Sequence, residues 1–150
     1  MRSRIKPHNA LLITIIVYYV SGCAVYKNPS VTSNDTMFFY FGSGYDHEIV
    51  KVYFNNYEFQ FEATSDFSTG VVLSHYFKCS NSMIMMFRNN SIIDSVKTNT
   101  CNTLNFRVQT AESEIEKYII SSKGQYVIVD MGKATDELNI VQSKKPFSLE

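Results

Sequence analysis

Most of the chain after residue 35 consists of short runs rich in apolar and aromatic residues, separated by turn-forming residues, and in the clearest of them, 49–54, 57–62 and 104–108, apolar and polar residues alternate. Alternation with a period of two puts successive side chains on opposite faces, as in a half-buried β-strand. The apolar-rich runs that we interpret as strands are 36–41, 49–54, 57–62, 71–77, 83–88, 92–97, 104–108, 115–121, 125–131 and 138–141. The pattern predicts an all-β domain, an antiparallel β-sandwich of about 7–9 short strands.

The clearest predicted unit is a hairpin with Asn55-Asn56 as its loop, since Asn tolerates the positive φ that two-residue loops need. In that register Val52 faces Phe59 on one side, and Lys51 faces Gln60 on the other. Nearly every apolar side chain then points the same way, and a slip of one residue would undo the sorting. A second hairpin, 83–88 with 92–97, alternates less regularly, which leaves its register open.

Two further segments bear on the type of sandwich. Residues 111–117 are charged and form either a helical turn or the edge of a strand. The segment 123–129, Lys-Gly-Gln-Tyr-Val-Ile-Val, is similar to the Gly-x-Tyr-aliphatic strand of transthyretin-like and immunoglobulin-like sandwiches. That resemblance implies one of these two sandwich types for the domain.

The first 23 residues have the layout of an export signal. Arg2, Arg4 and Lys6 precede an apolar run at 10–20, which is the order of a secretory signal peptide. The four residues Val20–Cys23 then resemble the lipobox of bacterial prolipoproteins, an aliphatic residue and two small residues before a cysteine. The alternative is an uncleaved signal-anchor helix, because the uncharged stretch 7–26 is long enough to span a bilayer.

The lipobox resemblance implies a division of the chain into three parts. Residues 1–22 would be removed as the signal peptide, and Cys23 would become a lipidated (palmitate-bearing) N-terminus at the start of a tether, 23–34. Residues 35–150 would form the β-sandwich domain. Ala24 is not the aspartate that retains many lipoproteins in the inner membrane, so the resemblance implies a lipid anchor in the outer membrane.

Composition limits the partners that this domain can have. Removing three of the 14 basic residues with the signal leaves 11 against 14 acidic ones, a net charge of about −3. A mildly acidic chain without a basic patch does not favour nucleic acid as a partner. The 10 tyrosines and 11 phenylalanines suit strands rather than disorder.

Two cysteines, Cys79 and Cys101, remain once Cys23 is assigned to the lipid. Outside the cytoplasm an even number of cysteines predicts a disulfide bond. The alternatives are two free buried thiols or a metal site. A metal site would need further ligands, and the histidines of the mature chain, His47 and His75, lie far from both cysteines in sequence.

Residue types with catalytic potential are scattered. Asp46-His47-Glu48 is the densest group, and we interpret it as a solvated turn rather than a cation site, because neighbouring strand residues point to opposite faces. His75 fits a core or edge position better than a catalytic one. Glu58 and Glu62 resemble a glycosidase pair in type but are expected on an exposed face, whereas paired carboxylates need a cleft. We predict no enzyme activity, metal or cofactor.

Tyrosines give the only candidate binding residues. Tyr40, Tyr45, Tyr53 and Tyr76 are expected on outer faces or loops, and tyrosine is favoured in recognition surfaces. We take Tyr45, Tyr53 and Tyr76 as the candidate binding residues. The alternative is that some of them complete the inner face of a second sheet.

The sequence leads to two hypotheses of function. The first is a membrane-anchored lipoprotein of the cell envelope that acts as a non-enzymatic recognition or assembly module for a peptide, a glycan or another envelope protein. The second is an envelope-located inhibitor or immunity-type protein that blocks a wall-degrading enzyme with an inserted loop. A flat aromatic patch on a sheet would favour the first.

Overall fold

Ten β-strands make up most of the chain in a computed structural model, which describes residues 36–132 and 134–147. The strands are β1 (Met37–Phe41), β2 (Glu48–Phe54), β3 (Tyr57–Ala63), β4 (His75–Ser80), β5 (Met83–Arg88), β6 (Ser91–Lys97), β7 (Thr103–Gln109), β8 (Glu114–Ile120), β9 (Tyr126–Met131) and β10 (Leu138–Ser143). The predicted signal 1–22, the lipidation site Cys23 and the tether 23–34 lie outside the described residues. Within the described ranges, no helix is long and apolar enough to cross a membrane.

The strands form two packed sheets, which confirms the predicted all-β sandwich. A six-stranded sheet has the order β10-β9-β1-β4-β5-β6, and a four-stranded sheet has the order β3-β2-β7-β8. The strand number is ten rather than about 7–9. One pairing also differs from the antiparallel prediction, because β1 runs parallel to β9, with Phe38 opposite Tyr126.

The hairpin of β2 and β3 has the register predicted from its sequence. Val52 pairs with Phe59 and Lys51 with Gln60, and the loop begins at Asn55, whose φ is 56°. Val52 is buried, whereas Gln60 is exposed. The apolar sorting of this segment therefore fixes which face of the four-stranded sheet packs against the other sheet.

The second predicted hairpin is β5 with β6, and a β-bulge explains its irregular alternation. Met86 pairs with Asp94, while the next residue, Phe87, pairs with Ile92. Ile93 is therefore the extra residue of β6, and the strand changes face there. β6 forms one edge of the six-stranded sheet, and most of its residues are exposed.

Two segments correct or resolve the sequence interpretation. The predicted strand at 71–77 was wrong over its first half, because β4 begins only at His75. Val72 instead donates its N–H to the Phe41 carbonyl from an irregular segment, and Leu73 is exposed. The charged stretch 111–117 contains no helical turn, since β8 starts at Glu114 and forms the edge of the four-stranded sheet.

Phenylalanine rings from both sheets fill the space between them. Phe39 of β1 lies 4.8 Å from Phe54 of β2 and 4.9 Å from Phe106 of β7, measured between ring centroids. Phe77 of β4 contacts Phe54 at 5.2 Å. Because every second residue of β1 points into this core, the residues between them, Phe38 and Tyr40, must point to the opposite face of the six-stranded sheet.

Candidate functional site

Five aromatic residues share the outer face of the six-stranded sheet, the face turned away from the core. We call this set the aromatic face, and it comprises Phe38 and Tyr40 of β1, Tyr76 of β4, Phe87 of β5 and Tyr126 of β9. All five side chains are half-buried. The four-stranded sheet covers only the other face, so these rings pack mainly on one another and remain reachable from outside.

The rings of the aromatic face form one continuous row. Ring centroids are 5.7 Å apart for Tyr126 and Phe38, 6.3 Å for Phe38 and Tyr40, 5.9 Å for Tyr40 and Tyr76, and 4.7 Å for Tyr76 and Phe87. Each neighbouring pair is stacked, with interplanar angles between 4° and 27°. Stacked aromatic pairs of this kind stabilise one another beyond the apolar area that they bury.

A positively charged side chain lies next to Phe38 on this face. Lys78 places its Nζ 5.6 Å from the centre of the Phe38 ring, a cation–π contact. Burial raises the pKa of Tyr40, and the neighbouring Tyr76 and Tyr126 raise it further. The Tyr40 hydroxyl therefore stays neutral at physiological pH and can donate a hydrogen bond.

A groove of about 400 Å³ runs along the aromatic face. We call it the aromatic groove, and it is lined by four rings of the aromatic face together with Ile128, residues 71–73 and Pro146-Phe147; the four rings are Phe38, Tyr40, Tyr76 and Tyr126. Asn90 completes the lining, in which no side chain is charged at neutral pH. A volume of this size falls in the range of pockets that hold small ligands or short peptide segments.

Of the three tyrosines predicted to bind, Tyr76 lies in the aromatic face and Tyr53 is half-buried on the opposite side of the sandwich. Tyr53 sits on the outer face of the four-stranded sheet beneath the Arg107 guanidinium. The expectation that Tyr45 is exposed was wrong. Tyr45 is 3% exposed, and its hydroxyl donates to the Val129 carbonyl at 3.2 Å. Burial raises the pKa of this hydroxyl.

Sequence reasoning missed Phe38, Phe87 and Tyr126 as parts of one surface. Each strand shows aromatic residues at outward positions, and this signal is visible in the alternation alone. What the alternation cannot show is that β1 lies between β4 and β9, which brings three distant segments together.

Of the predicted turn Asp46-His47-Glu48, Asp46 and His47 are exposed in a bend, whereas Glu48 is half-buried and already belongs to β2. His47 has a positive φ of 57°, and its Nδ1 lies 2.6 Å from Oε1 of Glu62 on β3. This hydrogen bond, with the charge of Glu62, raises the pKa of His47. In the part of the chain that the structure describes, no group of three His, Cys, Asp or Glu side chains could hold a metal ion.

His75 is a core histidine. It is 8% exposed and its ring stacks on Phe61 at 4.8 Å. Ser74 Oγ lies 2.8 Å from its Nδ1, which brings a hydroxyl and an imidazole together. Burial lowers the pKa of His75, and the positive charge of Arg88 lowers it further. A cationic neighbour disfavours the imidazolium that a general base must become, so this pair is poorly suited to nucleophilic catalysis.

A loop between β3 and β4 presents a second feature that sequence reasoning missed. Asp66 Oδ1 accepts hydrogen bonds from the backbone N–H groups of Ser68 and Thr69, and from both hydroxyls. These bonds lower the pKa of Asp66 to about 2. Phe67, at the tip of this fixed turn, is fully exposed. The Asp-x-Ser-Thr-Gly pattern at 66–70 is typical of such turns and is readable in the sequence.

The predicted disulfide bond is present between Cys79 of β4 and Cys101 in the segment before β7. It links the six-stranded sheet to the entry of the four-stranded sheet, and both cysteines are buried. Glu58 and Glu62, the carboxylates that resembled a catalytic pair, are both exposed on β3.

Comparisons of this chain with models of known families, with curated protein sequences and with solved structures found no match.

Proposed function

We propose that this protein is a membrane-anchored, non-enzymatic recognition module of the cell envelope, which binds its partner through the aromatic face. The observation that carries the proposal is the continuous row of five half-buried rings left uncovered by the second sheet. Aromatic residues, and tyrosine in particular, supply large contact areas at low entropic cost.

The anchor is the other half of this proposal, and it rests on the lipobox-like residues Val20–Cys23. A tether of roughly ten residues after Cys23 would keep the domain within a few nanometres of the membrane. The test is metabolic labelling with a palmitate analogue. We expect label on the full chain and none on Cys23→Ala; undiminished label on that variant would contradict the lipid anchor.

The recognition surface is tested by site-specific photo-crosslinking in intact cells of the native host. A benzophenone amino acid replaces Tyr76 in the aromatic face, and in a matched chain it replaces Tyr118, a 67% exposed tyrosine of the four-stranded sheet. We expect a discrete adduct from position 76 and none from position 118. Adducts from neither position, or equal adducts from both, would refute binding through the aromatic face.

The Phe67 loop favours a second candidate function, an inhibitor that inserts a loop into an envelope enzyme. A fully exposed aromatic ring on a rigid turn is a suitable anchor for a partner's pocket. The same crosslinker at position 67 separates the two functions. An adduct with a wall-degrading enzyme from position 67, without one from position 76, would support inhibition over recognition by the sheet.

A further inference from the structure

Another pocket, with a volume of about 430 Å³, lies at the end of the sandwich where the β2–β3 hairpin turns. We call it the hairpin pocket, and it shares no residue with the aromatic groove. It is lined by Asn55, Asn56 and Tyr57 of the hairpin and by Thr98, Asn99, Thr100 and Thr103 from the stretch between β6 and the start of β7. Every lining side chain is therefore an uncharged amide, hydroxyl or phenol.

One set of hydrogen bonds holds the two walls of the hairpin pocket together. Asn55 Oδ1 accepts from the backbone N–H of Asn105 at 3.0 Å, and its side-chain amide donates to Thr98 Oγ1 at 3.4 Å. The Thr98 hydroxyl donates in turn to the Thr100 carbonyl at 3.4 Å. The disulfide bond of Cys101 ties the same stretch to β4. The walls are thus fixed before any ligand arrives, which reduces the ordering that binding has to bring about.

A second set of lining groups is left over from this framework. In the part of the chain that the structure describes, no side-chain hydrogen bond is made by Asn56, Tyr57, Asn99 or Thr103, and all four residues are exposed. Amides and hydroxyls both donate and accept hydrogen bonds, so they match a ligand whose own hydroxyls do both. A charged ligand would lose hydration here without gaining an ion pair from the lining.

Tyr57 adds an available aromatic ring to these polar groups. It is 43% exposed, and within residues 36–132 and 134–147 no other ring and no cationic side chain stacks on it. Tyr53, by contrast, lies beneath Arg107, and Tyr76 stacks on Phe87. A pyranose ring presents C–H groups on its faces and hydroxyls around its rim. One aromatic ring beside several amides and hydroxyls complements both parts of such a ligand.

We propose that the hairpin pocket binds an uncharged oligosaccharide. The C–H face of one sugar ring packs on Tyr57, and its hydroxyls form hydrogen bonds with the Asn56 and Asn99 amides and with the Thr103 hydroxyl. The pocket volume lies within the range of sites that hold small ligands. This site is separate from the aromatic face, so the inference goes beyond the proposed function and does not depend on it.

The test is a titration of the full chain, kept in micelles of a detergent without a sugar headgroup, with maltohexaose, mannohexaose and chitohexaose. It is followed by NMR of asparagine side-chain amides, and we expect saturable shifts of Asn56 and Asn99 with at least one of the three. Tyr57→Ala should weaken that binding about tenfold or more, and Asn99→Ala about threefold to tenfold. The matched controls Tyr118→Ala and Asn139→Ala change exposed residues outside the pocket and should bind as the unchanged chain does.

The other outcomes refute the proposal. Failure of all three hexasaccharides to bind would rule out an uncharged oligosaccharide. Binding that survives both Tyr57→Ala and Asn99→Ala, or that Tyr76→Ala abolishes, would place the sugar outside the hairpin pocket. Equal binding of hexagalacturonic acid, which carries a carboxylate on every ring, would show that the pocket does not select uncharged ligands.

The proposed function is scored separately in the same chains. The crosslinker at position 76 should give the same adduct with Tyr57→Ala as without it. If no sugar binds while that adduct forms, the hairpin pocket proposal is wrong and the function of the aromatic face stands. If a sugar binds as described while position 76 gives no adduct, the proposed function is wrong and the hairpin pocket stands.

Discussion

The guanidinium carbon of Arg107 lies 4.0 Å from the centre of the Tyr53 ring, on the outer face of the four-stranded sheet. The two residues face each other across β2 and β7. Because Arg107 covers one face of the ring, we expect Tyr53 to contribute to the stability of the sheet rather than to binding. We expect Tyr53→Ala to lower the melting temperature by no more than about 4 °C, and Tyr53→Phe to leave it nearly unchanged. A benzophenone amino acid at position 53 should give no adduct in intact cells, and a discrete adduct there would return Tyr53 to the recognition surface.

The Cys79–Cys101 bond should contribute measurably to stability. It closes a loop with a sequence separation of 22 residues, and constraint of the unfolded chain by such a loop stabilises a domain by about 3 kcal/mol. We expect the double variant Cys79→Ala with Cys101→Ala to lose about this much in urea denaturation. Addition of a reductant to the unchanged chain should produce a similar loss, whereas it should not affect the double variant. Equal stability of both chains would show that the bond constrains little.

Two glycines with positive φ allow the cost of the backbone conformation to be distinguished from the cost of a steric clash. Gly44 has a φ of 97°, and an added Cβ would lie 1.8 Å from the Met131 carbonyl oxygen. Gly70 has a φ of 66°, but an added Cβ would have Ser43 Cβ as its nearest neighbour, at 3.9 Å. We expect Gly70→Ala to cost about 1–2 kcal/mol from conformation alone, and Gly44→Ala to cost about 1–3 kcal/mol more because the backbone must move. Equal losses in chemical denaturation would contradict this reading of Gly44.

The hydrogen bonds of the Asp66 turn should make part of the folding stability depend on pH in the acidic range. The folded pKa of about 2 lies below the ordinary value of 3.8, so the charged carboxylate favours the folded state above pH 3.8. That contribution is lost as the pH falls from 3.8 through about 2. We expect the stability of the unchanged chain to fall more steeply over this interval than that of Asp66→Ala, measured by urea denaturation at each pH.

An exposed carboxylate elsewhere gives the control for that measurement. Glu112→Ala removes a charge from the surface without touching the 66–70 turn. Its pH profile should follow that of the unchanged chain, and identical profiles for all three chains would show that the turn hydrogen bonds do not affect the folding equilibrium.

The strands could be predicted well from local patterns, because a half-buried strand places its apolar side chains on one face and its polar side chains on the other. The β2–β3 hairpin could be read from its residues alone, as Val52 and Phe59 have to share the buried side. The β5–β6 register could not, since the bulge at Ile93 breaks the period on which the prediction rests. At 71–77, a run of apolar residues was taken as a strand, but Val71 and Val72 are buried from an irregular segment.

The candidate site was only partly predictable for a different reason. Tyr76 was identified from residue type, and Tyr45 shows the limit of that approach, because a tyrosine can satisfy its hydroxyl inside the core. The neighbours of Tyr76 depend on the order of strands in the sheet. Phe38 and Tyr126 meet only because β1 pairs with β9, and no local pattern in either segment specifies that pairing.

The position of β1 also has a consequence for the order of events during synthesis. Among the described strands β1 is the first to be made, yet one of its two neighbours is β9, the last but one. Because so much chain separates β1 from β9, the six-stranded sheet is completed only when nearly all of the chain has been synthesised. Pairing between strands so far apart in sequence is slow. Until then β1 carries an unpaired edge and a run of aromatic residues on both faces. A growing chain of this kind can pair that edge with other strands until β9 has been made.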